Sequence, residues 1–448
     1  MHRHLTIPCE TQTREFDAKL LLACCAAERG YRVTIGEKKR LNRRIGTLPV
    51  SIYLSKSLTN RNLKIYRLLH QFGHRVVLGD EEGLVYPSAE TYVTTKVGAD
   101  ILGLGDAMLA WGEECARVWR AAPGYRGAPV HVTGNPRIDL LRPELSPYFA
   151  HEAKALRGRY GQFVLINTNF SRINHYLPGE SRHRKALDEG IDAHDPDVVG
   201  LARHKQLLFE GFKTMVPALA RSLPEFTIVL RPHPSESDEI WKRCASGCGN
   251  VVVLNQGAIA PWLMAADAVV HNGCTTAIEA YVLGTPAVAY QPVTSERYDL
   301  DLPNALSERV SDTEQLVSVL HRLIEQGVSP QRAEQHAEVA TRHLAGLQGP
   351  LAADRIIDAL ETVDPPARNV AAPWSVRFEL LRRNLRKAVE ARIPAHRNSS
   401  AYLEHMFPGV GLDAVRAQIQ RYGELLGRFA AVRVSQVDPN VFRVTPAP

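Results

Sequence analysis

The sequence predicts an α/β protein made of two Rossmann-like domains with parallel sheets, followed by C-terminal helices. Over the first 145 residues, short apolar runs alternate with longer helical patterns, as expected for successive βα units. A second series of the same kind begins at Phe163. Pro365 and Pro366 end that series, because consecutive prolines cannot continue a helix. The length of 448 residues is enough for such an arrangement.

The first domain is predicted to span residues 1–145 and to begin with a strand. Its strands are predicted at 4–8, 32–35, 51–54, 75–78, 101–104 and 130–133. Its helices are predicted at 16–29, 60–72, 89–96 and 107–121. The apolar run that starts at Leu20 is too short to span a bilayer, so we expect it to be a buried part of the first helix.

The second domain is predicted to span residues 146–363. Its strands are predicted at 163–167, 227–230, 251–254, 268–270 and 287–290, and helices at 312–326, 330–343 and 351–362 close it. The segment 172–199 is polar and weakly patterned, so we interpret it as an inserted loop over the ligand cleft. Loops of this length are usually functional or disordered.

Residues 364–448 form the predicted helical extension, which could cross back to the first domain. Within it, the segment 376–393 carries six basic residues among apolar ones at helical spacing. Two interpretations of this basic amphipathic helix remain open. It could lie on an anionic membrane surface, or it could pack across the two domains and expose a solvated basic face.

Composition favours a cytoplasmic protein and argues against nucleic-acid binding. The formal charge of +6 is mildly basic, but we find neither a basic run interleaved with aromatic residues nor a nucleic-acid-binding module. The seven cysteines are scattered and odd in number, which is typical of reduced thiols. We expect no metal or other cofactor, because Cys244 and Cys248 lack a second ligand pair at zinc spacing and no Asp-x-Asp motif ends a predicted strand.

The segment 272–276 opens a helix directly after the strand at 268–270, and it is the strongest candidate phosphate site. A helix N-terminus offers backbone amides and a favourable dipole to phosphate oxygens. Gly273 permits close backbone approach, and Thr275 and Thr276 add hydroxyl donors. Helix capping alone is the alternative role. One turn further on, Glu279 is predicted to accept hydrogen bonds from ribose hydroxyls, unless it is only a solvent-facing helical residue.

His233 follows the strand at 227–230, and a proline on either side fixes its backbone. A histidine held at a strand end can donate to a phosphate or stabilise a departing one, whereas a purely structural turn is the alternative. Arg231 precedes it, and Asn167 and Asn169 end the first strand of the same domain. We expect all of these side chains at the carboxyl edge of one sheet, where ligands bind.

Asp80, Glu81 and Glu82 follow the strand at 75–78 of the first domain. Adjacent carboxylates repel one another, which raises the pKa of at least one of them and suits a general base. An ordinary solvated acidic loop is the alternative. We expect this loop to face the phosphate site across an interdomain cleft.

Further polar clusters in the first domain are predicted to contact the acceptor or the cleft. One cluster begins the first helix, where helix capping is a rival explanation, and the other follows the last strand as a turn. The predicted residues are Arg14, Glu15, Asp17, Lys19, Asn135 and Arg137.

Taken together, these motifs resemble the surface carbohydrate biosynthesis proteins of bacteria. The resemblance covers most of residues 1–360 through the segments 14–21, 80–83, 133–143 and 167–170, the His-Pro pair and the Gly-Cys-Thr-Thr helix start. It implies a GT-B architecture, in which two Rossmann-like domains face each other across a cleft and C-terminal helices often return to the first domain.

Within that architecture, the segment 81–83 looks like the acidic motif of bacterial sialyltransferases, and His233 with Pro234 looks like their His-Pro motif. Similar pieces occur in capsule Kdo transferases. The resemblance implies that Glu82 is the preferred general base with Glu81 in reserve, and that His233 binds the phosphate of a CMP-activated ulosonic acid. Cys-Thr-Thr stands in this chain where serines are common.

The implied activity is metal-independent transfer of Kdo or a related ulosonic acid from a CMP-activated donor to a glycan or glycolipid hydroxyl, in the cytoplasm or at the inner face of its membrane. The implied catalytic residues are Asp80, Glu81, Glu82 and His233. The implied nucleotide-sugar-binding residues are Asn167, Asn169, Arg231, His233, Asn272, Gly273, Cys274, Thr275, Thr276 and Glu279. The alternatives are a UDP-sugar transferase, a UDP-sugar 2-epimerase, and a non-catalytic GT-B module that recruits polysaccharide machinery.

Overall fold

Two largely parallel sheets organise the chain in the computed structural model, one in each of two compact units. The structure describes residues 3–177, 181–189, 196–366, 372–393 and 399–447. The first unit comprises Met1–Leu84, Ala89–Tyr148 and Thr341–Pro448. The second unit comprises Val85–Ser88 and Phe149–Ala340.

The strands of the described chain are numbered in order. They are β1 (His4–Cys9), β2 (Arg32–Glu37), β3 (Ile52–Leu54), β4 (Arg75–Leu78), β5 (Ala107–Ala110), β6 (Val130–Val132), β7 (Phe163–Asn167), β8 (Thr227–Arg231), β9 (Val251–Val253), β10 (Ala268–His271), β11 (Ala287–Tyr290), β12 (Glu308–Val310), β13 (Val432–Asp438) and β14 (Val441–Pro446).

The helices of the described chain are numbered in the same way. They are α1 (Asp17–Glu28), α2 (Lys38–Arg43), α3 (Leu63–Gln71), α4 (Ala89–Lys96), α5 (Ala99–Leu102), α6 (Glu113–Ala121), α7 (Pro136–Asp139), α8 (Ala150–Tyr160), α9 (Arg182–Glu189), α10 (Pro196–Ser222), α11 (Glu239–Cys244), α12 (Ala260–Ala265), α13 (Thr275–Leu283), α14 (Asp301–Ala305), α15 (Thr313–Gln326), α16 (Pro330–His343), α17 (Ala352–Glu361), α18 (Trp374–Glu390), α19 (Ser400–Met406) and α20 (Leu412–Leu426). A π-helical turn at Gln12–Phe16 leads into α1.

The sheet of the first unit has the strand order β13-β14-β2-β1-β3-β4-β5-β6. Strands β1 to β6 pair in parallel, whereas the hairpin of β13 and β14 adds to β2 in the antiparallel direction. After β1, the chain places β2 on one side of β1 and then adds β3 to β6 on the other side. This reversal creates a switch point between β1 and β3, where open α/β sheets bind ligands.

The sheet of the second unit has the order β12-β11-β10-β7-β8-β9, and all of its strands are parallel. The chain starts at β7, adds β8 and β9 on one side, and then adds β10 to β12 on the other. The switch point therefore lies between β7 and β10. Every residue of β7, β10 and β11 is buried. Strands covered on both faces are encoded as continuous apolar runs, which explains why the sequence predicted them well.

Helix α1 is buried on almost all sides in the first unit. Residues 20–27 are all buried, and the helix packs against α17, α20, β2 and β14. A helix that is apolar all round belongs in a core. The apolar run that starts at Leu20 is therefore a buried helix, as predicted.

One predicted strand and the start of one predicted helix are wrong. Residues 101–104 were predicted as a strand, but the first two of them belong to α5. The observed strand is β5, and its residues were predicted to begin a helix. The Asp106 carboxylate fixes the start of β5 beside β4, because it accepts hydrogen bonds from Val76 N–H at 2.7 Å and Arg75 Nη1 at 3.0 Å. Apolar runs of four residues fit either element by periodicity, so sequence alone could not separate them.

The compact units differ from the predicted domain boundaries at 145 and 363. Residues 341–363 belong with the first unit, where α17 packs on α1 and α7. The Asp139 carboxylate accepts hydrogen bonds from Ala352 N–H and Ala353 N–H, both at 2.8 Å, and so caps α17. The helical extension predicted at 364–448 contains α18 to α20, but it also contains the hairpin of β13 and β14, which the sequence interpretation missed.

The segment predicted as an inserted loop, 172–199, is partly helical. It contains α9 and the first residues of α10. Residues 178–180 and 190–195 of that segment lie outside the described residues.

Candidate functional site

The carboxyl edge of the second unit's sheet brings together most of the predicted phosphate-binding residues. In the strand register, Asn167 at the end of β7 is paired with Arg231 of β8 on one side and with His271 of β10 on the other. His233 follows Arg231 by two residues, and Asn272 follows His271 directly. All of these residues therefore lie at the switch point of the sheet.

The turn between β10 and α13 is held by the fully buried His271. Its Nδ1 accepts a hydrogen bond from Gly273 N–H at 2.9 Å, so the ring proton lies on Nε2, which donates to Ser307 Oγ at 2.8 Å. Burial lowers the pKa of His271 to about 3, which keeps the ring neutral. Gly273 has a φ of +83°, a left-handed conformation that favours glycine. His271 thus shapes the backbone that leads into the helix.

Two buried side-chain amides at this edge have atoms without a hydrogen-bond partner among the described residues. Asn272 is 5% exposed, and neither Oδ1 nor Nδ2 has a hydrogen-bond partner among the described residues. Asn167 is also 5% exposed, and its Nδ2 lacks a partner in the same part of the chain. Buried polar groups are nearly always paired, and an unpaired one costs about 1–3 kcal/mol. The unpaired amide atoms are therefore available to pair with a bound ligand.

The first residues of α13 present polar groups at the helix N-terminus. Cys274, Thr275 and Thr276 are half-buried, so their side chains are within reach of a ligand. Burial raises the pKa of the Cys274 thiol, which therefore stays neutral. Glu279 is buried one turn further into the helix. This arrangement offers hydroxyl groups and backbone amides to an anion, in the place where the sequence predicted a phosphate site.

The His-Pro turn after β8 is organised by Glu236, a buried residue that the sequence interpretation did not single out. Its Oε1 accepts hydrogen bonds from His233 N–H at 3.2 Å, Thr168 Oγ1 at 2.9 Å and Phe170 N–H at 2.8 Å. Its Oε2 accepts one from Trp241 Nε1 at 3.0 Å. One carboxylate thus joins the ends of β7 and β8 with α11.

The tautomer of His233 follows from its own hydrogen bond. Ser235 N–H donates to His233 Nδ1 at 3.1 Å, so a neutral ring carries its proton on Nε2. Nε2 is therefore a hydrogen-bond donor, as required of a residue that binds a phosphate oxygen. The turn therefore fixes Nδ1 as the acceptor of the ring and leaves Nε2–H as its donor.

The Arg231 side chain is held by contacts within the protein. Its Nη2 donates to Gln256 O at 2.8 Å and to Gly257 O at 3.0 Å, and its guanidinium lies 5.1 Å from the centroid of the Trp262 ring. Burial lowers the pKa of Arg231 to about 10. The guanidinium is thereby committed to the loop after β9, although its buried Nε has no partner among the described residues.

Lys205 of α10 is a basic residue near this edge that the sequence interpretation missed. It interacts electrostatically with Cys274, Asp299 and Arg172. Burial lowers the pKa of Lys205, and Asp299 opposes that effect. The ammonium makes no hydrogen bond or close ion pair within the described ranges. It could therefore bind a phosphate group. No local sequence signal could have found it, because a lysine in an amphipathic helix is usually solvated.

A second candidate site is the pocket at the carboxyl edge of the first unit's sheet. Its walls come from the ends of β1, β3, β4, β5 and β6, so it lies at that sheet's switch point. The polar or aromatic residues that line it are Glu15, Lys19, Ser55, Asp80, Glu81, Trp111, Asn135 and Arg137.

The pKa of Asp80, the first residue of the acidic loop, is raised. Burial raises the pKa of Asp80 to about 6, and the charge of Glu82 adds a smaller effect. Its carboxylate accepts hydrogen bonds from Tyr92 OH at 2.8 Å and from Glu82 N–H at 3.1 Å. The sequence predicted a raised pKa through repulsion between carboxylates, but burial is the main cause.

Glu82 is the most exposed of the three acidic residues. Its side chain is 56% exposed and forms ion pairs with Arg14 at 3.4 Å and Lys96 at 3.2 Å. Partial burial would raise the pKa of Glu82, but Arg14 and Lys96 lower it overall. Glu82 does not line the pocket.

Glu81, in contrast, lines the pocket. Its side chain is 12% exposed, and Oε1 lies 3.1 Å from Lys19 Nζ. Its other oxygen, Oε2, lies 3.5 Å from Asn135 Nδ2. Position therefore favours Glu81 over Glu82 as the carboxylate that meets a bound substrate.

Glu15 and Lys19 belong to a buried ion network rather than to a helix cap. Glu15 Oε2 lies 2.8 Å from Lys19 Nζ, and Oε1 lies 2.6 Å from Lys56 Nζ. Burial alone would raise the pKa of Glu15, but the two ammonium groups lower it far below its usual range. Burial would also lower the pKa of Lys19, but Glu15 and Glu81 raise it overall. The network therefore holds a charged ammonium next to Glu81.

The remaining predicted cleft residues have separate environments. Asp17 does not line the pocket: its carboxylate accepts hydrogen bonds from Gln418 at 3.2 Å and Tyr148 at 3.4 Å, which ties α1 to α20. Asn135 Oδ1 caps α7 by accepting from Arg137 N–H at 3.0 Å. The Arg137 guanidinium lies 5.9 Å from the centroid of a pocket tryptophan ring.

Neither a metal-binding cluster nor a membrane-spanning helix occurs among the residues that the structure describes. That part of the chain contains no group of three or more histidine, cysteine, aspartate or glutamate side chains arranged to hold a metal ion. It also contains no helix whose length and apolar character would let it cross a bilayer.

Comparisons with known proteins identify the fold. No protein-family model and no curated protein sequence matches the chain. Among solved structures, a Listeria monocytogenes protein assigned as a UDP-N-acetylglucosamine 2-epimerase has a TM-score of 0.53 at 14% identity, over 81% of this chain and 96% of its own. The UDP-GlcNAc 2-epimerase of Neisseria meningitidis, bound to UDP-GlcNAc, has a TM-score of 0.50 at 14% identity, over 81% of this chain and 100% of its own.

The wall teichoic acid polymerase TagF has a TM-score of 0.50 at 9% identity, over 85% of this chain and 90% of its own. Identities this low establish the fold alone. The chain has the predicted fold class: it is a GT-B-type protein with two α/β domains, parallel sheets and C-terminal helices.

Proposed function

We propose that this protein is a glycosyltransferase of bacterial surface polysaccharide biosynthesis that uses a nucleotide-activated sugar. The observation that carries the proposal is the edge of the second sheet. There the start of α13 and the His233 turn share a switch point with amide atoms of Asn167 and Asn272 that have no partner among the described residues. Such an edge is suited to the phosphate of a nucleotide.

The proposed role of this edge is to stabilise the leaving group. When the bond between the anomeric carbon and the phosphate oxygen breaks, negative charge develops on the departing nucleotide. The first amides of α13, the Nε2–H of His233 and the ammonium of Lys205 would take up that charge. Groups fixed in place before the reaction stabilise developing charge without reorganisation. We propose that they do so without a resident metal.

The proposed role of the first unit is to bind the glycan or glycolipid acceptor and remove its hydroxyl proton. Glu81 is our preferred base, in place of Glu82, because Glu81 lines the pocket and is held there by Lys19. A general base must lie within hydrogen-bond reach of the proton that it takes. An exposed carboxylate paired with two cations, as in Glu82, is less suited to that task.

For the donor we propose a CMP-activated ulosonic acid such as CMP-Kdo. The support is the pairing of an acidic-acidic-glycine motif at 81–83 with the His-Pro motif at 233–234, which resembles sialyltransferases and Kdo transferases. A monophosphate leaving group carries less charge than a diphosphate. Hydrogen-bond donors and one lysine are therefore a reasonable complement to it.

A UDP-sugar enzyme, either a transferase or a 2-epimerase, is the second candidate. The observation in its favour is the structural similarity to the Neisseria meningitidis epimerase, which was solved with UDP-GlcNAc. The buried Glu279 fits this candidate equally well, because a carboxylate in α13 can accept hydrogen bonds from the ribose of either nucleotide.

Thermal-shift measurements with CMP, CDP, UDP and UMP separate these functions, because a ligand that binds only the folded protein raises its melting temperature. We expect CMP to give the largest rise, whereas a preference for UDP would favour the second candidate. The response should fall in Thr276→Val, at the start of α13. It should persist in the control Thr313→Val, at the start of α15 in the same unit.

A transfer assay with a panel of CMP-activated donors then tests the reaction itself. Release of CMP that depends on a glycan acceptor would support the proposal. Nucleotide binding without any release would favour the epimerase, which is tested with UDP-sugars. The absence of both binding and turnover would indicate a non-catalytic module.

A further inference from the structure

Helix α18 exposes an apolar stripe that has no counterpart elsewhere in the described chain. Apart from Leu207, every exposed large hydrophobic side chain of the described residues lies on α18 or just beyond its end. Trp374 is 85% exposed and Phe378 is 67% exposed. The other members of the stripe are Leu381, Leu385, Val389 and Ile393.

The stripe is one face of the helix, and the opposite face is already packed. Spacings of three and four residues place the exposed side chains along a single side of a helix with 3.6 residues per turn. On the other side, Val376 and Leu380 are buried. Asn384 Nδ2 donates to Arg43 O at 2.9 Å, and Arg383 Nη1 lies 3.4 Å from Asn42 O. The packing of α18 on the first unit therefore leaves the apolar stripe outward.

Arginine side chains border the stripe on both sides. At about 100° per residue, Arg377 lies on one flank, and Arg382 and Arg386 lie on the other. All three are exposed, and the Arg377 guanidinium lies 5.7 Å from the centroid of the Trp374 ring. The flanking cations and the aromatic ring form one continuous amphipathic surface.

Much of this positive charge is not neutralised by the protein. The two acidic residues of α18 already have cationic partners. Glu379 pairs with Lys64 at 2.9 Å. Glu390 pairs with Lys387 at 2.8 Å and with the flanking Arg386 at 3.5 Å. Arg377, Arg382 and Arg392 make no ion pair with a carboxylate in the part of the chain that the structure describes. The surface is therefore complementary to an anionic partner that also accepts apolar side chains.

We propose that α18 docks this protein on the surface of an anionic membrane. The apolar stripe would enter the boundary between headgroups and acyl chains, and the flanking arginines would bind lipid phosphates. This is the arrangement of interfacial amphipathic helices, which lie in the plane of a membrane rather than span it. The inference is independent of the proposed transferase activity.

A second copy of the chain is a poorer occupant of this surface. A symmetric pair would bring the same face of both copies together, and both flanks of the stripe are basic. Arginines would then meet arginines at either edge. Anionic lipid removes that repulsion and supplies an apolar interior as well.

Vesicle flotation of the full chain tests the proposal. We expect about tenfold or more protein to float with vesicles that contain phosphatidylglycerol than with pure phosphatidylcholine, and less at high salt. Phe378→Ser combined with Leu385→Ser should abolish flotation, and Arg382→Glu combined with Arg392→Glu should reduce it strongly. Matched controls are the exposed Leu207→Ser and Arg221→Glu in the second unit, which should float like the wild type.

Tryptophan fluorescence gives a second readout that depends on α18 itself. The other four tryptophans are buried, so a blue shift on addition of anionic vesicles reports on Trp374. Trp374→Phe should remove the shift but retain flotation. The proposal fails if the wild type does not bind anionic vesicles or if the serine variant floats equally well. It also fails if the wild type is a dimer that does not bind lipid and the serine variant is a monomer.

Discussion

The backbone N–H of His233 donates a hydrogen bond to Glu236 Oε1 across 3.2 Å. The same buried carboxylate accepts hydrogen bonds from Thr168 and Phe170 after β7 and from Trp241 of α11. Glu236 therefore positions the two strand ends that frame the candidate phosphate site. It is a positioning residue, because its buried carboxylate is engaged by these four donors and acts through the backbone of His233.

The ionisation of Glu236 should give the wild type a distinctive pH dependence. Burial raises the pKa of Glu236 from 4.5 to about 7, although its four hydrogen-bond donors favour the charged form. A carboxyl group whose pKa is raised by folding contributes stability below its unfolded pKa, and that contribution is lost as the pH rises through the folded value.

Glu236→Gln removes this ionisation. Between pH 4 and pH 8, the unfolding free energy of the variant should rise relative to the wild type by about 3 kcal/mol, at about 1.4 kcal/mol for each pKa unit. Urea denaturation at a series of pH values measures the difference. The exposed Glu225→Gln serves as the control and should follow the wild type. Parallel curves for Glu236→Gln and the wild type would contradict the assignment.

The tautomer of His233 predicts which substitutions preserve nucleotide binding. Because Nδ1 accepts from Ser235 N–H, the donor to a phosphate must be Nε2. His233→Ala should weaken binding of the preferred nucleotide about tenfold or more, since a hydrogen bond to a charged group is worth about 1.5–3 kcal/mol.

His233→Gln is the matched variant, because its amide N–H can reach the position of Nε2, whereas His233→Asn reaches only the position of Nδ1. Glutamine should therefore retain most of the affinity and asparagine should not. Isothermal titration calorimetry of the three variants distinguishes them. Equal affinities for alanine, asparagine and the wild type would rule out His233 as a phosphate ligand.

The unpaired amide of Asn272 should lower the stability of the unliganded protein and strengthen nucleotide binding. Its amide is buried without a partner among the described residues, so Asn272→Leu removes an unpaired polar group and keeps a similar volume. The unliganded variant should be as stable as the wild type or more stable by about 1–3 kcal/mol, and nucleotide affinity should fall.

Asn250 provides the matched control in the same unit. Its Nδ2 donates to three carbonyl oxygens, those of Ala220, Leu223 and Phe226, at 3.0 to 3.1 Å. Asn250→Leu should therefore destabilise the protein without a specific loss of affinity. If Asn272→Leu behaves in the same way, its amide has a structural role and the site is not the one proposed.

The fold could be predicted from the sequence where its elements are encoded locally. Strands such as β7 and β10 are buried on both faces, so each is a continuous apolar run with turn residues on either side. The polar residues at or directly after the ends of such strands, including Asn167 and Asn272, could be placed at one sheet edge for the same reason. Local patterns failed at β5, whose four residues fit a helix equally well.

Long-range contacts explain what could not be predicted. The pattern of α17 shows an apolar face but not that this face packs on α1, so the sequence could not show that residues 341–363 group with the first compact unit. Lys205 meets the start of α13 only through the folded chain. The choice between Glu81 and Glu82 depends on Lys19, Arg14 and Lys96, none of which is adjacent in sequence.

That choice gives the most direct test of the proposed chemistry. The sequence resemblance favours Glu82 as the base, whereas the pocket position favours Glu81. Glu81→Gln should lower the turnover number by about 10²–10⁴-fold, the usual contribution of a general base, and leave nucleotide affinity unchanged. Glu82→Gln should have a much smaller effect, because its 56% exposed side chain lies outside the pocket and its ion pairs contribute little at the surface.

Both variants are isosteric, so melting temperatures measured in parallel separate lost chemistry from lost structure. Single-turnover assays with a saturating acceptor isolate the chemical step from product release. A reversal, with Glu82→Gln inactive and Glu81→Gln near the wild type, would return the role of base to Glu82. In that case the pairing of Glu82 with Arg14 and Lys96 must break when substrate binds, because a carboxylate held by two cations cannot readily accept a proton.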